Sequence, residues 1–360
     1  MTVKTGGILR ISSATALGSA NGATVIESGG YMEMTGGIVV EEPLTIIGDA
    51  AVGYAGTLRS NGGSNVWSGP IITTGSRIRC NSGSLDVIGG TSGSGLVLGA
   101  NGGTYIRFSE KPVLSSSVTA HSSGGGILLA VTNNAFTYLE VGGSFLRTDL
   151  PGVLPPTVTL QQGAGSSKSS TIDLNGNDQT VGTLRTGWSG PEVRMLYSVA
   201  PATLTVNQSG NSEYNASITG AVSLVKLGAG NLTISGTNST SGRFTVNGGT
   251  LTLSASGTFG DNATNIVVGG TGTLALETSS GISDNAVVSM PAAGVDTAKI
   301  SLAAGVNETV GWLLYGEKVQ RVGTYGSTAS SAQHKDDTRF SGTGILTVRR
   351  DDSGTVILLR

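Results

Sequence analysis

A recurring pair of alternating apolar residues in the segment 224–276 constrains the fold of this chain more than any other feature. Three phrases of the segment each place one polar or small residue between two apolar ones, at Leu232/Ile234, Leu251/Leu253 and Leu274/Leu276. The phrases return after 19 and then 23 residues, and glycine, asparagine or serine closes each of them. A period near 20 residues with one or two short strands per repeat is typical of a solenoid, whose coils pack on their neighbours.

The composition indicates an ordered all-β chain. Of the 360 residues, 58 are glycine and only 12% are charged, where globular proteins have about 25%. Disordered chains combine high net charge with few β-branched residues, whereas this chain has a net charge of −2 and valine, isoleucine and threonine in register. Glycine and asparagine also supply the positive φ angles that sharp corners need. The fold class predicted is a parallel β-helix with coils of roughly 20 residues.

Longer repeats indicate how the coils are organised. Residues 6–34 align without a gap on residues 248–276, and a third, shorter copy begins at Gly125. Apolar positions match even where identities differ, which predicts equivalent inward-facing layers. We interpret residues 1–360 as one continuous solenoid of three divergent modules, whose ranges are 1–123, 124–243 and 244–360, the last ending in a short terminal segment over 311–360.

The charge of the chain argues against a nucleic-acid partner, and its hydropathy argues against a transmembrane helix. Binding to nucleic acid needs clustered lysine and arginine, and here the pair Arg349-Arg350 is followed at once by Asp351-Asp352. No apolar run approaches about 18 residues, so the sequence predicts no transmembrane helix. We therefore expect neither a nucleic-acid partner nor a transmembrane segment.

Cysteine content and the first residues bear on the compartment. Cys80 is the only cysteine, so no intramolecular disulfide and no cysteine-based metal site can form. The first residues contain no signal-peptide core. The low charge and the abundance of serine, threonine and glycine favour a secreted or cell-surface protein whose leader is absent from this chain.

One stretch resembles a known family. Residues 228–242, Gly-Ala-Gly-Asn-Leu-Thr-Ile-Ser-Gly-Thr-Asn-Ser-Thr-Ser-Gly, followed by Phe-Thr-Val-Asn-Gly-Gly-Thr-Leu at 244–251, resemble the autotransporter-associated β-strand repeat of bacterial surface passengers. Phrases at 16–18, 42–44, 56–71 and 324–344 are similar to other parts of such passengers. The resemblance implies a right-handed parallel β-helix, displayed on or secreted from a bacterium, and it implies no catalytic residues.

The chain departs from that family at both ends. The family carries a C-terminal membrane barrel, whereas this chain ends with two short predicted strands, at 345–348 and 355–359. At the other end, Gly6-Gly7 enters the repeat at its second half. Either an upstream part was removed, or the exposed first coil stacks on another copy of the chain, and we expect self-association through the terminal coils.

The densest polar cluster is His334-Lys335-Asp336-Asp337. It offers a base, a cation and two carboxylates, but an active site would need these side chains to converge beside a substrate groove. Neighbouring side chains on an extended segment point in opposite directions. The sequence therefore predicts a solvated loop here, and it predicts an exposed turn at His121.

Other acidic residues are candidates for acid–base or metal chemistry. The pairs Glu41-Glu42 and Asp351-Asp352 could mimic paired catalytic carboxylates, but no acid recurs at the spacing of one coil. The calcium-binding nonapeptide is absent, and an isolated residue such as Asp261 is a weak metal ligand. We assign no catalytic, cofactor-binding or metal-binding residue, and we expect no cofactor and no enzyme activity.

The three tryptophans leave two alternatives open. Trp67, Trp188 and Trp312 could stack on sugars, as aromatic faces do. The phrase Trp-Ser-Gly-Pro occurs at both Trp67 and Trp188 in matching module positions, which favours a repeated packing role at a corner instead.

The sequence thus predicts an extracellular structural or adhesive β-solenoid that can self-assemble end to end into a surface fibre through its terminal coils. A filament follows when a head-to-tail contact does not close on itself. One alternative is a carbohydrate-binding or carbohydrate-active β-helix that takes a surface glycan, and another is an adhesin passenger fragment of an autotransporter-like protein.

Overall fold

The chain folds entirely into β-strands and loops in the part that the structure describes. The computed structural model describes residues 1–49, 56–121, 124–163, 169–187, 190 and 193–352, and within them lie 36 strands and no helix. The strands pair mainly in parallel and form a β-solenoid. The predicted all-β parallel solenoid is confirmed, while the handedness implied by the family resemblance stays a prediction.

The strands fall into two units. The first unit comprises Met1–Val181 and Thr186–Met195, and the second comprises Gly182–Arg185 and Leu196–Arg360. The strands that lie wholly in the first unit are β1 (Thr2–Val3), β2 (Ile8–Ile11), β3 (Thr24–Ile26), β4 (Tyr31–Met34), β5 (Val39–Val40), β6 (Leu44–Ile47), β7 (Leu58–Trp67), β8 (Ile71–Val87), β9 (Thr91–Ala100), β10 (Tyr105–Phe108), β11 (Val113–Ser115), β12 (Ser117–His121), β13 (Gly126–Leu129), β14 (Tyr138–Gly142), β15 (Phe145–Thr148), β16 (Thr159–Gln162), β17 (Ser170–Asp173) and β18 (Gln179–Val181). Along the chain there follow β19 (Thr183–Thr186) and β20 (Arg194–Asn207).

The strands of the second unit are β21 (Ser212–Tyr214), β22 (Ser217–Leu227), β23 (Asn231–Ile234), β24 (Phe244–Val246), β25 (Thr250–Leu253), β26 (Asn265–Val268), β27 (Thr273–Leu276), β28 (Val287–Met290), β29 (Lys299–Leu302), β30 (Asn307–Val310), β31 (Trp312–Tyr315), β32 (Lys318–Val319), β33 (Gly323–Gly326), β34 (His334–Lys335), β35 (Phe340–Gly342) and β36 (Ile345–Val348).

Inward rows of aliphatic side chains hold the coils of the first unit together. Ile106 of β10 pairs with Leu85 of β8 on one side and with Ile127 of β13 on the other, and Leu146 of β15 continues the row. All four side chains are at most 1% exposed. Because successive side chains of a strand point to opposite faces, the residues between them point outward. Each coil thus buries its apolar face on its neighbours.

The same arrangement orders the second unit and confirms the repeat read from the sequence. Leu232, Leu251 and Leu274 are register partners on β23, β25 and β27, and Ile300 and Phe340 extend the row. None of the five is more than 1% exposed. Burying one such side chain stabilises the fold by about 1.5–3 kcal/mol. The alternating apolar phrases are therefore the core of this unit.

Glycine lets the coils approach closely in the segment 228–230. A Cβ atom on Gly230 would lie 1.9 Å from the carbonyl oxygen of Gly210 on the preceding coil. Gly228 has a φ of +71°, a left-handed conformation that glycine adopts without strain. The two glycines of the Gly-Ala-Gly-Asn phrase are thus required for neighbouring coils to stack closely.

Buried amide side chains join neighbouring coils at their turns. The Asn238 side chain is 2% exposed; its Oδ1 accepts the Ile218 amide proton at 2.7 Å, and its Nδ2 donates to the Thr258 carbonyl at 2.6 Å. Asn134 does the same in the first unit, between Val113 and Val153. Each amide satisfies backbone groups that the turns leave unpaired.

The described end of the chain departs from purely parallel pairing. β36 pairs in parallel with β30 but antiparallel with β33, and β31 and β32 form an antiparallel hairpin. The predicted strand at 345–348 is present as β36, whereas the one predicted at 355–359 lies outside the described residues. Nowhere in the described ranges does a helix occur that is long and apolar enough to cross a membrane. The division into three modules stays a prediction.

Candidate functional site

A cleft beside the predicted polar cluster lies at the end of the second unit. It has a volume of about 500 Å³ and is lined by the hairpin β31–β32 and by β33 and β34. His334 and Lys335 form the short strand β34, which pairs in parallel with Tyr325-Gly326 of β33. Both side chains of β34 are exposed. The cluster expected in a solvated loop therefore begins on an exposed edge strand.

The imidazole of His334 lies against an aromatic ring. It stacks on Tyr325, with ring centroids 4.6 Å apart and ring planes at 27° to each other. The Tyr325 ring also packs at a tilt against Phe340, with ring centroids 6.3 Å apart. The Tyr325 hydroxyl donates to the carbonyl of Arg321 at 2.8 Å. His334 is thus held by packing and is one of the residues that line the cleft.

The two aspartates that follow stabilise local turns. Asp336 accepts the backbone and side-chain protons of Thr338 and forms an ion pair with Arg339 at 2.8 Å. Burial favours the neutral acid, but these hydrogen bonds outweigh it and lower the pKa of Asp336. Asp337 accepts the backbone N–H and the hydroxyl of Thr328, which lowers its pKa as well. Both carboxylates are therefore engaged in structural bonds.

Tyr315 completes the wall of the cleft. The Arg339 guanidinium lies 4.2 Å from the centroid of its ring. Its hydroxyl oxygen is buried and has no hydrogen-bond partner among the described residues. Burial raises the pKa of Tyr315, and the nearby charge of Asp336 raises it further. The phenol stays protonated and is unsuited to act as a base at neutral pH.

The acidic pairs singled out in the sequence include residues that hydrogen-bond within the fold. Glu41 is exposed, whereas Glu42 is 4% exposed and its Oε1 accepts the hydroxyl of Thr24 at 2.6 Å. Asp351 accepts the Val322 amide proton at 3.1 Å. In the described part of the chain, no three histidine, cysteine, aspartate or glutamate residues are grouped so as to hold a metal ion.

The tryptophans occupy different environments. Trp67 is fully buried at the end of β7, so its ring is unavailable to a sugar. Trp312 is half-buried on β31, and Trp188 lies outside the described residues.

The other residues singled out in the sequence are not among those that line the cleft. His121 ends strand β12 and is half-buried, so the exposed turn expected there is wrong. The alternation of Val118 and Ala120 extends that strand to His121. Cys80 is fully buried in β8, and burial raises the pKa of its thiol. Asp261 is exposed in a turn.

A second concave surface, in the first unit, went unnoticed in the sequence. We call it the aromatic–arginine groove; it has a volume of about 520 Å³. It lies on the outer face of β10, β13 and β15, and its lining includes Tyr105, Arg107, Gly126, Phe145 and Arg147. Its sequence signal is an aromatic residue followed two positions later by arginine, at 105–107 and again at 145–147.

The best-kept repeat, residues 224–253, contributes paired strands to successive coils of the second unit. Leu224, at the end of β22, pairs with Phe244 of β24, and Asn231 of β23 pairs with Thr250 of β25. Residues 224–253, which span these strands, match the family described as the passenger-associated-transport-repeat. Over these residues the chain is similar to a passenger repeat. No curated protein and no solved structure matches the chain.

The passenger repeat and the parallel solenoid together fit a passenger-like repeat protein of the autotransporter kind. The repeat's residues are structural: its leucines face the core, and its glycines allow the coils to stack. It therefore identifies a scaffold without assigning a reaction.

Proposed function

We propose that this chain is the extracellular structural part of a bacterial surface or secreted passenger, a non-catalytic β-solenoid that displays its outer faces for adhesion. The observation that carries this proposal is the passenger repeat at 224–253, stacked in register within a parallel solenoid. In addition, Asp336 and Asp337, the carboxylates of the densest polar cluster, are engaged in turn hydrogen bonds.

Protease treatment of intact cells tests the location. Antibodies against the chain should detect it in the medium or on intact cells, and an added protease should remove it while a cytoplasmic marker survives. Retention of the chain in the cytoplasm, protected until the cells are lysed, would contradict the proposal.

The absence of catalysis has a separate test. Incubation of the purified chain with polysaccharides should release no reducing ends. Turnover that is lost in Asp336→Asn while the thermal midpoint is kept would replace the structural role by an enzymatic one.

End-to-end association is the second part of the proposal. An unpaired strand edge is a template for another strand. Among the described residues, β1 pairs with β3 and β2 with β4, each through one edge. Sedimentation over a hundredfold range of concentration should show growing head-to-tail species. A strictly monomeric chain across that range would remove self-assembly and leave the structural role intact.

A further inference from the structure

The aromatic–arginine groove is built by outward side chains on consecutive coils. Tyr105 of β10 pairs with Gly126 of β13, which in turn pairs with Phe145 of β15. The two aromatic residues therefore stand two coils apart, about 10 Å between their backbones. The middle coil contributes no side chain at this position, so its backbone forms the floor between two aromatic walls.

The floor is open but closely bordered. A Cβ atom on Gly126 would lie 3.5 Å from Cδ1 of Phe145 and 3.6 Å from Cβ of Tyr105, which are ordinary contact distances. An alanine would therefore fit here without moving the backbone, and a larger side chain would extend into the space between the walls. Tyr105 is 38% exposed, so its ring is available to a ligand.

A second row of side chains supplies the polar contacts. Arg107 and Arg147 flank Leu128 in the next outward position of the same three strands. Arg147 donates two hydrogen bonds to Asp149, at 2.6 and 3.3 Å. The Nε of Arg107 is buried and has no hydrogen-bond partner among the described residues. A half-buried donor group of this kind favours a ligand rich in hydrogen-bond acceptors.

The charges around the groove are balanced. Asp149 is paired with Arg147, and Asp86 is the register partner of Arg107 on β8. Burial raises the pKa of Asp86, and the charge of Arg107 opposes that rise. A field of one sign, which would attract a nucleic acid or another polyanion, is therefore lacking at this groove.

From this arrangement we infer that the aromatic–arginine groove binds a neutral glycan. The apolar face of a hexose stacks between Tyr105 and Phe145, and its hydroxyl groups accept hydrogen bonds from Arg107. A volume of about 520 Å³ lies within the usual range for small-ligand sites. The inference goes beyond the structural role and does not depend on where the chain is located.

Titration of the purified full chain tests the inference. The probes are neutral oligosaccharides of glucose, galactose or mannose, and matched oligosaccharides of uronic acids, followed by calorimetry up to millimolar concentration. At least one neutral series should bind. Binding of none of them, or binding of the uronic acids alone, would overturn the assignment, while the protease test of surface location would be unaffected.

Variants locate the site. Tyr105→Ala and Gly126→Val should each weaken binding at least about tenfold, which corresponds to about 1.4 kcal/mol, and Tyr105→Trp should retain it. Ile72→Ala, which truncates a 49% exposed side chain of β8, is the matched control and should bind as the wild type does. Thermal midpoints verify that each variant folds. Unchanged affinity in both Tyr105→Ala and Gly126→Val would show that the glycan binds elsewhere and would refute the site.

Discussion

The rings of Phe244 and Phe259 stack inside the second unit, with centroids 4.0 Å apart and planes 18° apart. Phe244 lies on β24 within the passenger repeat, and Phe259 lies in the loop region after β25. Both side chains are fully buried. The pair therefore packs strand β24 of the repeat against the loop that follows β25, and it fills the interior at that loop.

Truncation of one ring should be costly. Phe259→Ala removes the stacking partner and leaves a cavity, so we expect the free energy of unfolding to fall by about 3–5 kcal/mol. Urea unfolding followed by circular dichroism measures the change. Val295→Ala, at a side chain 68% exposed, is the control and should change stability by less than about 0.5 kcal/mol. Equal effects of the two variants would contradict the buried stack.

The close approach of coils at Gly230 gives a prediction with a control on the adjacent coil. Gly230→Ala would place its Cβ against the Gly210 carbonyl, so the backbone must shift and stability should fall by more than about 1 kcal/mol. In Gly210→Ala the added methyl meets no atom within 4 Å, and stability should be unchanged or slightly higher. Thermal unfolding of both variants measures the change in stability. A Gly230→Ala variant as stable as the wild type would refute the close approach of the coils at this glycine.

The amide that bridges coils at Asn238 should be sensitive to an apolar replacement. Asn238→Leu leaves the Ile218 amide proton and the Thr258 carbonyl without their partner, at a cost of about 1–3 kcal/mol for each buried group. Asn262→Leu alters an exposed asparagine of the same unit and should be nearly neutral. Denaturant midpoints compare the two, and a stable Asn238→Leu would mean that the bridge contributes little.

Glu308 should make the stability of the second unit depend on pH. Its side chain is 1% exposed, and burial raises its pKa to about 7 from the usual 4.5, although it accepts the amide protons of Gly281 and Ile282. Between these two pH values the folded chain holds a proton that the unfolded chain has lost. The free energy of unfolding therefore falls as the pH rises from about 4.5 to 7, by an amount on the order of 3 kcal/mol.

Glu308→Gln isolates this contribution. The variant cannot titrate there, so the difference between its stability and that of the wild type should change across the window. Glu317→Gln, at an exposed carboxylate, should keep the wild-type slope. Parallel stability–pH profiles for the wild type and Glu308→Gln would show that Glu308 does not carry the dependence.

The sequence pattern was sufficient for the fold wherever it followed simple alternation. Leu232, Leu251 and Leu274 could be placed in one inward row because a period-2 pattern that repeats at coil length has few other ways to bury its apolar face. Lys226 shows where residue type misleads: it continues the inward positions Val222 and Leu224 of β22, it is fully buried, and its ammonium group donates to three backbone carbonyls. Its charge alone would predict an outward side chain, because the carbonyls that accept its protons come together only after folding.

The candidate sites were harder to predict for the same reason. The cluster at His334 was visible because its residues are adjacent in sequence, but the Tyr325 ring that packs on it comes from another strand. The aromatic–arginine groove depends on the register that places Tyr105 and Phe145 on either side of Gly126. The two aromatic residues are 40 positions apart in the sequence. The register between coils of unequal length determines which side chains become neighbours on that surface. The register cannot be predicted from loop lengths alone.

A distance across several coils tests the parallel in-register solenoid most directly. Glu213, Thr233, Thr252, Ala275, Ser301 and Ser341 are successive register partners in the second unit. Spin labels on Glu213→Cys and Ser341→Cys, in a Cys80→Ala background, are five coil steps apart. Pulsed dipolar spectroscopy should give one narrow distribution near about 24 Å, at about 4.8 Å per step. A broad distribution, or a narrow one centred well away from that distance, would contradict the stacked register on which the proposed scaffold depends.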